Sequence, residues 1–310
     1  MADNFLTVAQ NVLTLFILIG VGAACGKWKL LNDEAVKACA NLALYVATPC
    51  VIVHSCIREF DMSMLWDFLL VALVAVLNHL ALILIARLVF REKEEERRRV
   101  FRFATVFANA GFMALPLQQA VLGETGVFYC AAYIMVFNTI MWTYGVFEIG
   151  GDQVKLSPKS LINPGTIGVV LGLLIFLLSV PVPTMLADAV RHLGNLNTPV
   201  PMLVVGYYLG QTDLRAALGD KRSYVCLALR LVIMPVMAMA ALLLCGVRGD
   251  VLTSCMICIS TPVATATTMM ATRYDRDPLL SVNLVSVSTL LSMVTMPVLI
   301  SLTDWLGSIL

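Results

Sequence analysis

The residues of this chain best suited to chemistry sit where an apolar sequence tolerates them least. Asn109, Gly111 and Pro116 fall inside one apolar run, Val100 to Leu122, and Pro262, Thr265, Thr267 and Thr268 fall inside another, Val251 to Ala271. Proline removes a backbone donor and obstructs the carbonyl one turn back, while glycine admits backbone angles that other residues resist. Both runs are therefore expected to break as helices. In hydrocarbon an unsatisfied backbone group costs on the order of several kcal/mol, so a break survives only where it is buried in protein or lines a wet cavity. The chemistry on offer is that of helix ends. Unpaired N–H groups at the start of a second half-helix are equivalent to roughly half a positive charge and hold an anion without a full cation. Asn109 would donate to a carboxylate oxygen, Pro116 would open the second half-helix, and the three threonines would offer hydroxyls from the opposing break. Asn138, one run later, would face the same cavity. Asn138 and the threonines also read as hydrogen-bond glue between helices.

Other polar residues in apolar runs have plainer readings. Arg230 is intramembrane and costly, hence a functional candidate by default. It is expected to pair with a carboxylate or with helix C-terminal carbonyls rather than with substrate. His54 and His79 read as structural, with His54 a candidate coupling residue if a cation is co-transported. Glu148 and Arg87 lie near a membrane boundary and are expected to snorkel. Cys255 and Cys258 have a redox-motif spacing, but all nine cysteines lie within or at the ends of apolar runs and read as small core residues. No zinc motif, serine elbow or paired intramembrane aspartates occur, so no catalytic residue, metal site or cofactor is expected.

The elements that must position these residues follow from composition. With 60% hydrophobic and 13% charged residues and a mean hydropathy of +0.89, the chain reads as an all-α integral membrane protein. A net charge of +1 implies no nucleic-acid partner. Ten runs approach the roughly 20 residues of a spanning helix: Phe5 to Cys25, Ala38 to Ile57, Asp67 to Phe90, Val100 to Leu122, Thr125 to Phe147, Pro164 to Val180, Leu186 to Gln211, Ser223 to Cys245, Val251 to Ala271 and Pro278 to Leu302. The N-terminal Met1-Ala-Asp-Asn4 lacks the basic region of a cleaved signal, so the first run is expected to remain. Placing both termini outside puts sixteen of the 21 Lys and Arg residues in cytoplasmic loops and three outside, as the positive-inside rule demands. The expected location is the cell (inner or plasma) membrane, with multiple passes.

A 5+5 inverted repeat is expected, residues 1–147 and 164–310 joined by a cytoplasmic connector, 148–163. Thr48-Pro49 in the second run answers Thr198-Pro199 in the seventh, and the Asn109/Gly111/Pro116 break answers the Pro262 break. Five spans per half turn the second half upside down, so that two interrupted helices cross at mid-membrane, the best sequence pointer to a transporter's binding site.

On these residues the chain resembles the auxin efflux carrier family, which includes plant carriers and bacterial relatives. The motifs that carry the likeness are Asn109-Ala-Gly-Phe-Met-Ala-Leu-Pro116, Val46-Ala-Thr-Pro49 with His54, Asn138 and Trp142-Thr-Tyr with Glu148, Asn163-Pro164, Leu229-Arg230 through Pro235, and Thr261-Pro262 with Arg273-Tyr274. The resemblance implies a ten-helix fold akin to bile-acid symporters and sodium/proton exchangers. It also implies scaffold helices 1, 2, 6 and 7, moving transport helices 3, 4, 5, 8, 9 and 10, and a homodimer formed through the scaffold. Family members move organic anions. The third run has no charge from Phe68 to Leu77 and the central connector is short, which departs from the plant carriers and turns the expectation toward a smaller, more polar anion than auxin. Neither broken run carries an Asp or Glu at its break, and the site is taken to hold no fixed charge. A bound monoanion would then leave it negative, and export by uniport is expected. The alternatives are a sodium- or proton-coupled symporter and a membrane ligand sensor that does not transport.

Overall fold

A computed structural model describes residues 2–151, 154, 164–212 and 219–309. The connector residues Lys155, Lys159 and Asn163, and Arg215 of a later loop, lie outside the described residues. Within them the regular structure is helical: α1 (Ala2–Lys27), α2 (Asp33–Ser55), α3 (Met62–Val89), α4 (Glu95–Val106), α5 (110–122), α6 (124–150), α7 (Pro164–Leu177), α8 (Thr184–Gly194), α9 (Pro199–Gln211), α10 (Lys221–Leu244), α11 (Gly249–Ser260), α12 (Ala266–Arg273) and α13 (Pro278–Ile309). Six helical stretches are long and apolar enough to cross a membrane: Val8–Lys27, Asp33–Ser55, Met62–Val89, Ala110–Gly150, Lys221–Leu244 and Pro278–Ile309. α7 and α11 are shorter apolar helices. The stretch from Ala110 to Gly150 is two helices, because Gly123, at φ +63°, turns the chain between α5 and α6 in a conformation that glycine adopts without a Cβ penalty.

Prolines shape these helices by widening them. The π-turns Ala43–Ala47, Ala110–Ala114 and Leu229–Ile233 each end two residues before a proline, at Pro49, Pro116 and Pro235. A wider turn relieves the contact between the proline ring and the preceding turn's carbonyl, so the helix continues where a strict α-helix would stop. The second half-helix of the first break accordingly opens at Ala110 and not at Pro116, which corrects the expectation that Pro116 opens it.

The packing falls into two neighbourhoods, which meet where α1 lies against α13 and where α2 and α7 lie against the α5–α6 pair. α1 lies along α9, and α2 packs on α7 and α8. α3 packs on α4 and on the α5–α6 pair, and α11 packs on α13, α10 and the α5–α6 pair. α1 approaches α9 closely, since a side chain at Gly22 or Gly206 would meet the backbone of Leu203 or Ile19. Small residues let membrane helices approach to backbone contact in this way. The Thr48 hydroxyl donates to Asn197 Oδ1 at 2.8 Å, joining the two proline-bearing segments of α2 and α8–α9.

Candidate functional site

Two helices are interrupted, and the interruptions meet. Residues 107–109 separate α4 from α5, and residues 261–265 separate α11 from α12. Ala108 and Val263 form an antiparallel bridge, the Asn109 N–H donating to the Pro262 carbonyl and the Ala264 N–H to the Phe107 carbonyl, each at 2.9 Å. The Val263 N–H donates to Ser288 Oγ of α13 at 3.1 Å. The backbone groups freed by each break are thus satisfied largely by the other. Pro262 suits its place, because the bridge uses its carbonyl and asks no N–H of it.

Beside this bridge lies a cavity of about 750 Å³. Asn109, Gly111, Asn138, Thr265 and Thr268 line it together. Asn109 is buried and lines the cavity, and its Nδ2 has no partner among the described residues, so a donor at the cavity wall is left unspent. The N-terminal turn of α5, beginning at Ala110, adds backbone donors that no helical carbonyl precedes. The walls are largely apolar, with Tyr45, Phe112, Ile134, Phe137 and Trp142 prominent. A concave, mostly apolar space with a few convergent polar groups is the usual form of a small-molecule site.

The remaining candidates lie elsewhere. Thr267 is fully buried off the cavity, its hydroxyl without a partner among the described residues. Pro116 and Pro262 do not line the cavity and act through the backbone. Pro49 and Pro199 open the continuations of their helices around the Thr48–Asn197 bond. His54 sits far along α2, with Nδ1 3.2 Å from Glu124, which also lies 3.8 Å from Arg58. His79 is buried behind the break, its Nδ1 2.7 Å from the Ala75 carbonyl and its ring near Phe107, Tyr133 and Phe137.

Two expectations are corrected. The site was expected to hold no fixed charge, but the fully buried Arg230 donates from Nε to the Thr261 carbonyl at 3.1 Å and from Nη2 to the Ile259 carbonyl at 2.7 Å. It caps the C-terminal end of α11 at the break itself, where a cation is favoured by the negative end of the helix. Glu148 does not snorkel. It is buried, 5% exposed, and takes Tyr144 Oη at 2.8 Å, Arg102 at 3.3 Å and Arg87 at 3.5 Å.

Sequence reasoning missed Lys37, Asn41, Thr48 and Tyr208, which also line the cavity. Only Thr48 carried a signal, as the hydroxyl residue before a helix proline. A multi-helix chain with paired helix breaks around such a cavity defines a polytopic membrane protein of the transporter class. The membrane transport protein family matches residues 7–158 and 153–300, and the chain belongs to it, the family of the auxin efflux carriers. Among curated proteins, an uncharacterized transporter of Methanothermobacter thermautotrophicus is 23% identical over 300 residues, covering 94% of this chain and 97% of its own. A second, from Methanocaldococcus jannaschii, is 23% identical over 307 residues, covering 95% and 97%.

Proposed function

We propose that this protein is a secondary carrier that moves small organic anions, carboxylates foremost, out of the cell by uniport and alternating access. The observation that carries this reading is the Asn109 amide, buried and without a partner among the described residues, on a residue that lines the cavity beside the N-terminus of α5. A carboxylate would take both kinds of donor, and its organic part would rest on the apolar wall. Asn138, Thr265 and Thr268 supply further polar contacts within the same space.

The arrangement we propose around it is ten spans in a 5+5 inverted repeat, with α4–α5 and α11–α12 as the helices that cross at mid-membrane. The paired breaks and the Thr48–Asn197 bond support this symmetry. The scaffold would comprise α1, α2 and α7–α9, and the moving part α3–α6 and α10–α13, a division supported by the two packing neighbourhoods and compatible with an elevator motion. A homodimer through the scaffold belongs to the same proposal. With both termini outside, Lys37, Tyr208 and Thr272 of the cavity lining lie near helix ends beside the basic cytoplasmic loops, which supports reading this conformation as one that faces the cytoplasm.

Uniport is favoured because neither break carries an acidic residue to hold a sodium ion or proton. Asp33 lines the cavity, and its carboxylate accepts from the Tyr207 hydroxyl at 2.9 Å. The test is flux into proteoliposomes over a panel of carboxylates, with and without sodium and pH gradients. Carboxylate flux without either gradient is expected. An absolute demand for one replaces uniport by symport, and saturable binding without flux makes the protein a sensor.

A further inference from the structure

The helix ends at the two breaks do not by themselves select an anion. Each break exposes one N-terminus and one C-terminus, and partial charges of roughly +0.5 and −0.5 cancel in each. Arg230 remains. Its guanidinium is fully buried, two of its nitrogens bind carbonyls at the end of α11, and Nη1 has no partner among the described residues. No carboxylate forms an ion pair with it among the described residues. The ionisable groups that interact with it, His79 of α3, Tyr133 of α6 and Cys226 of α10, carry no negative charge in their ordinary form at neutral pH. Arginine keeps its proton in proteins. Among the described residues, the paired breaks therefore hold one uncompensated positive charge.

We propose that Arg230 is the fixed counter-charge of the transported anion, acting on it without touching it. Thr261 takes the guanidinium's Nε–H, and the next residue, Pro262, takes the Asn109 N–H. One peptide unit thus separates the carbonyl that holds the cation from the carbonyl that holds the site's amide residue. Two consequences follow from this connection. An anion is preferred over a neutral isostere because it restores neutrality in a low-dielectric setting, where an unpaired charge is costly. And because site and guanidinium are bonded to the same break, whatever field acts on the bound anion acts on the cation too. The site loaded with a monocarboxylate is electrically neutral, and the empty site is positive. In the carrier reading given above, on which this electrical half rests, the membrane potential then acts on the return of the empty carrier and not on the loaded step.

The experiment has two arms. Trp142 lines the cavity and the other tryptophans are Trp28, Trp66 and Trp305, so their replacement by Phe leaves one reporter at the site. Iodide quenching of Trp142, scaled to quenching by neutral acrylamide, reads the anion concentration there. Arg230→Gln is expected to lower the iodide constant at least threefold and leave acrylamide unchanged, and an equal iodide constant in the two proteins overturns the proposal. If Arg230→Gln does not fold, the single-tryptophan protein with Arg230 intact decides alone: Trp142 should be quenched by iodide and shielded from caesium, and equal access of both ions rejects the counter-charge. In the second arm, proteoliposomes loaded with lactate exchange it for labelled lactate at zero and 100 mV. With Arg230 present the exchange rate should be the same at both potentials, and with Arg230→Gln it should differ. An exchange rate that follows the potential in the unaltered protein rejects neutrality of the loaded site. Absence of lactate flux in both proteins counts against the carrier reading for this anion alone, and the quenching arm still decides on the charge.

Discussion

Asn109 and Arg230 show how far local sequence carries an assignment. Asn109 was legible because an amide beside a glycine, with a proline further on, has no ordinary reason to occupy an apolar run. Arg230 was legible as an intramembrane cation, yet its place at the break was not, because the carbonyls it binds come from residues 29 and 31 positions away. Substitution separates such roles. Asn109→Ala removes a donor that makes no bond among the described residues, so the fold should persist while carboxylate affinity falls. The loss of a hydrogen bond to a charged group is worth about 1 to 3 kcal/mol, or roughly 10- to 100-fold in binding. Isothermal titration of the stable variant with the best carboxylate of the panel measures this, and unchanged affinity removes Asn109 from the site. Thr267→Val supplies the contrast. Its hydroxyl is buried off the cavity without a partner among the described residues, so deleting it at constant shape should leave binding within about twofold and hold or raise the melting temperature. A large loss of affinity would place Thr267 among the ligands.

At the scale of elements, proline spacing announced where helices would be irregular but not in what manner. Composition shows that a proline must be accommodated, whereas the choice between a break and a widened turn depends on what packs alongside. Around Pro262 the helix opens because the Ala108–Val263 bridge and Arg230 take up its freed groups. Around Pro49, Pro116 and Pro235 a π-turn suffices. The seam between α1 and α9 was likewise hidden, since glycines in apolar runs do not say which neighbour they admit. Gly206→Val would drive a side chain into the backbone of Ile19 and should destabilise by more than about 2 kcal/mol, as overpacking against an immovable neighbour does. Gly20, on the same helix as Ile19, has open space where its Cβ would go, so Gly20→Val should be tolerated. Thermal unfolding in detergent distinguishes the two. Equal stability of both variants would mean that α1 and α9 do not approach as described.

For the whole molecule, orientation fixes what the cavity and the membrane potential mean together. If both termini are outside, cysteine introduced at Lys93 reacts with an impermeant reagent only from the cytoplasmic side and cysteine at Arg58 only from outside, in a background free of Cys25, Cys39, Cys50 and Cys245. The reverse pattern would overturn the repeat argument along with the orientation. In the proposed orientation and with the proposed substrate, a cavity that faces the cytoplasm would deliver its anion against no electrical cost, because the cell interior is negative. Each elementary charge moved across 100 mV is worth about 2.3 kcal/mol, so net movement of a monocarboxylate should build an accumulation ratio of about 50. This ratio is set by the whole cycle and does not depend on which step senses the field. In proteoliposomes with a potassium diffusion potential, an inside-positive potential should therefore drive net uptake of labelled lactate and an inside-negative one should suppress it, with no sodium or pH gradient present. Net uptake indifferent to potential and dependent on either cation would reject uniport. The cation would then bind where the cavity already offers oxygens, at Asn138, Thr265 and Thr268, because His54, held beside Glu124, lines a separate, smaller cavity.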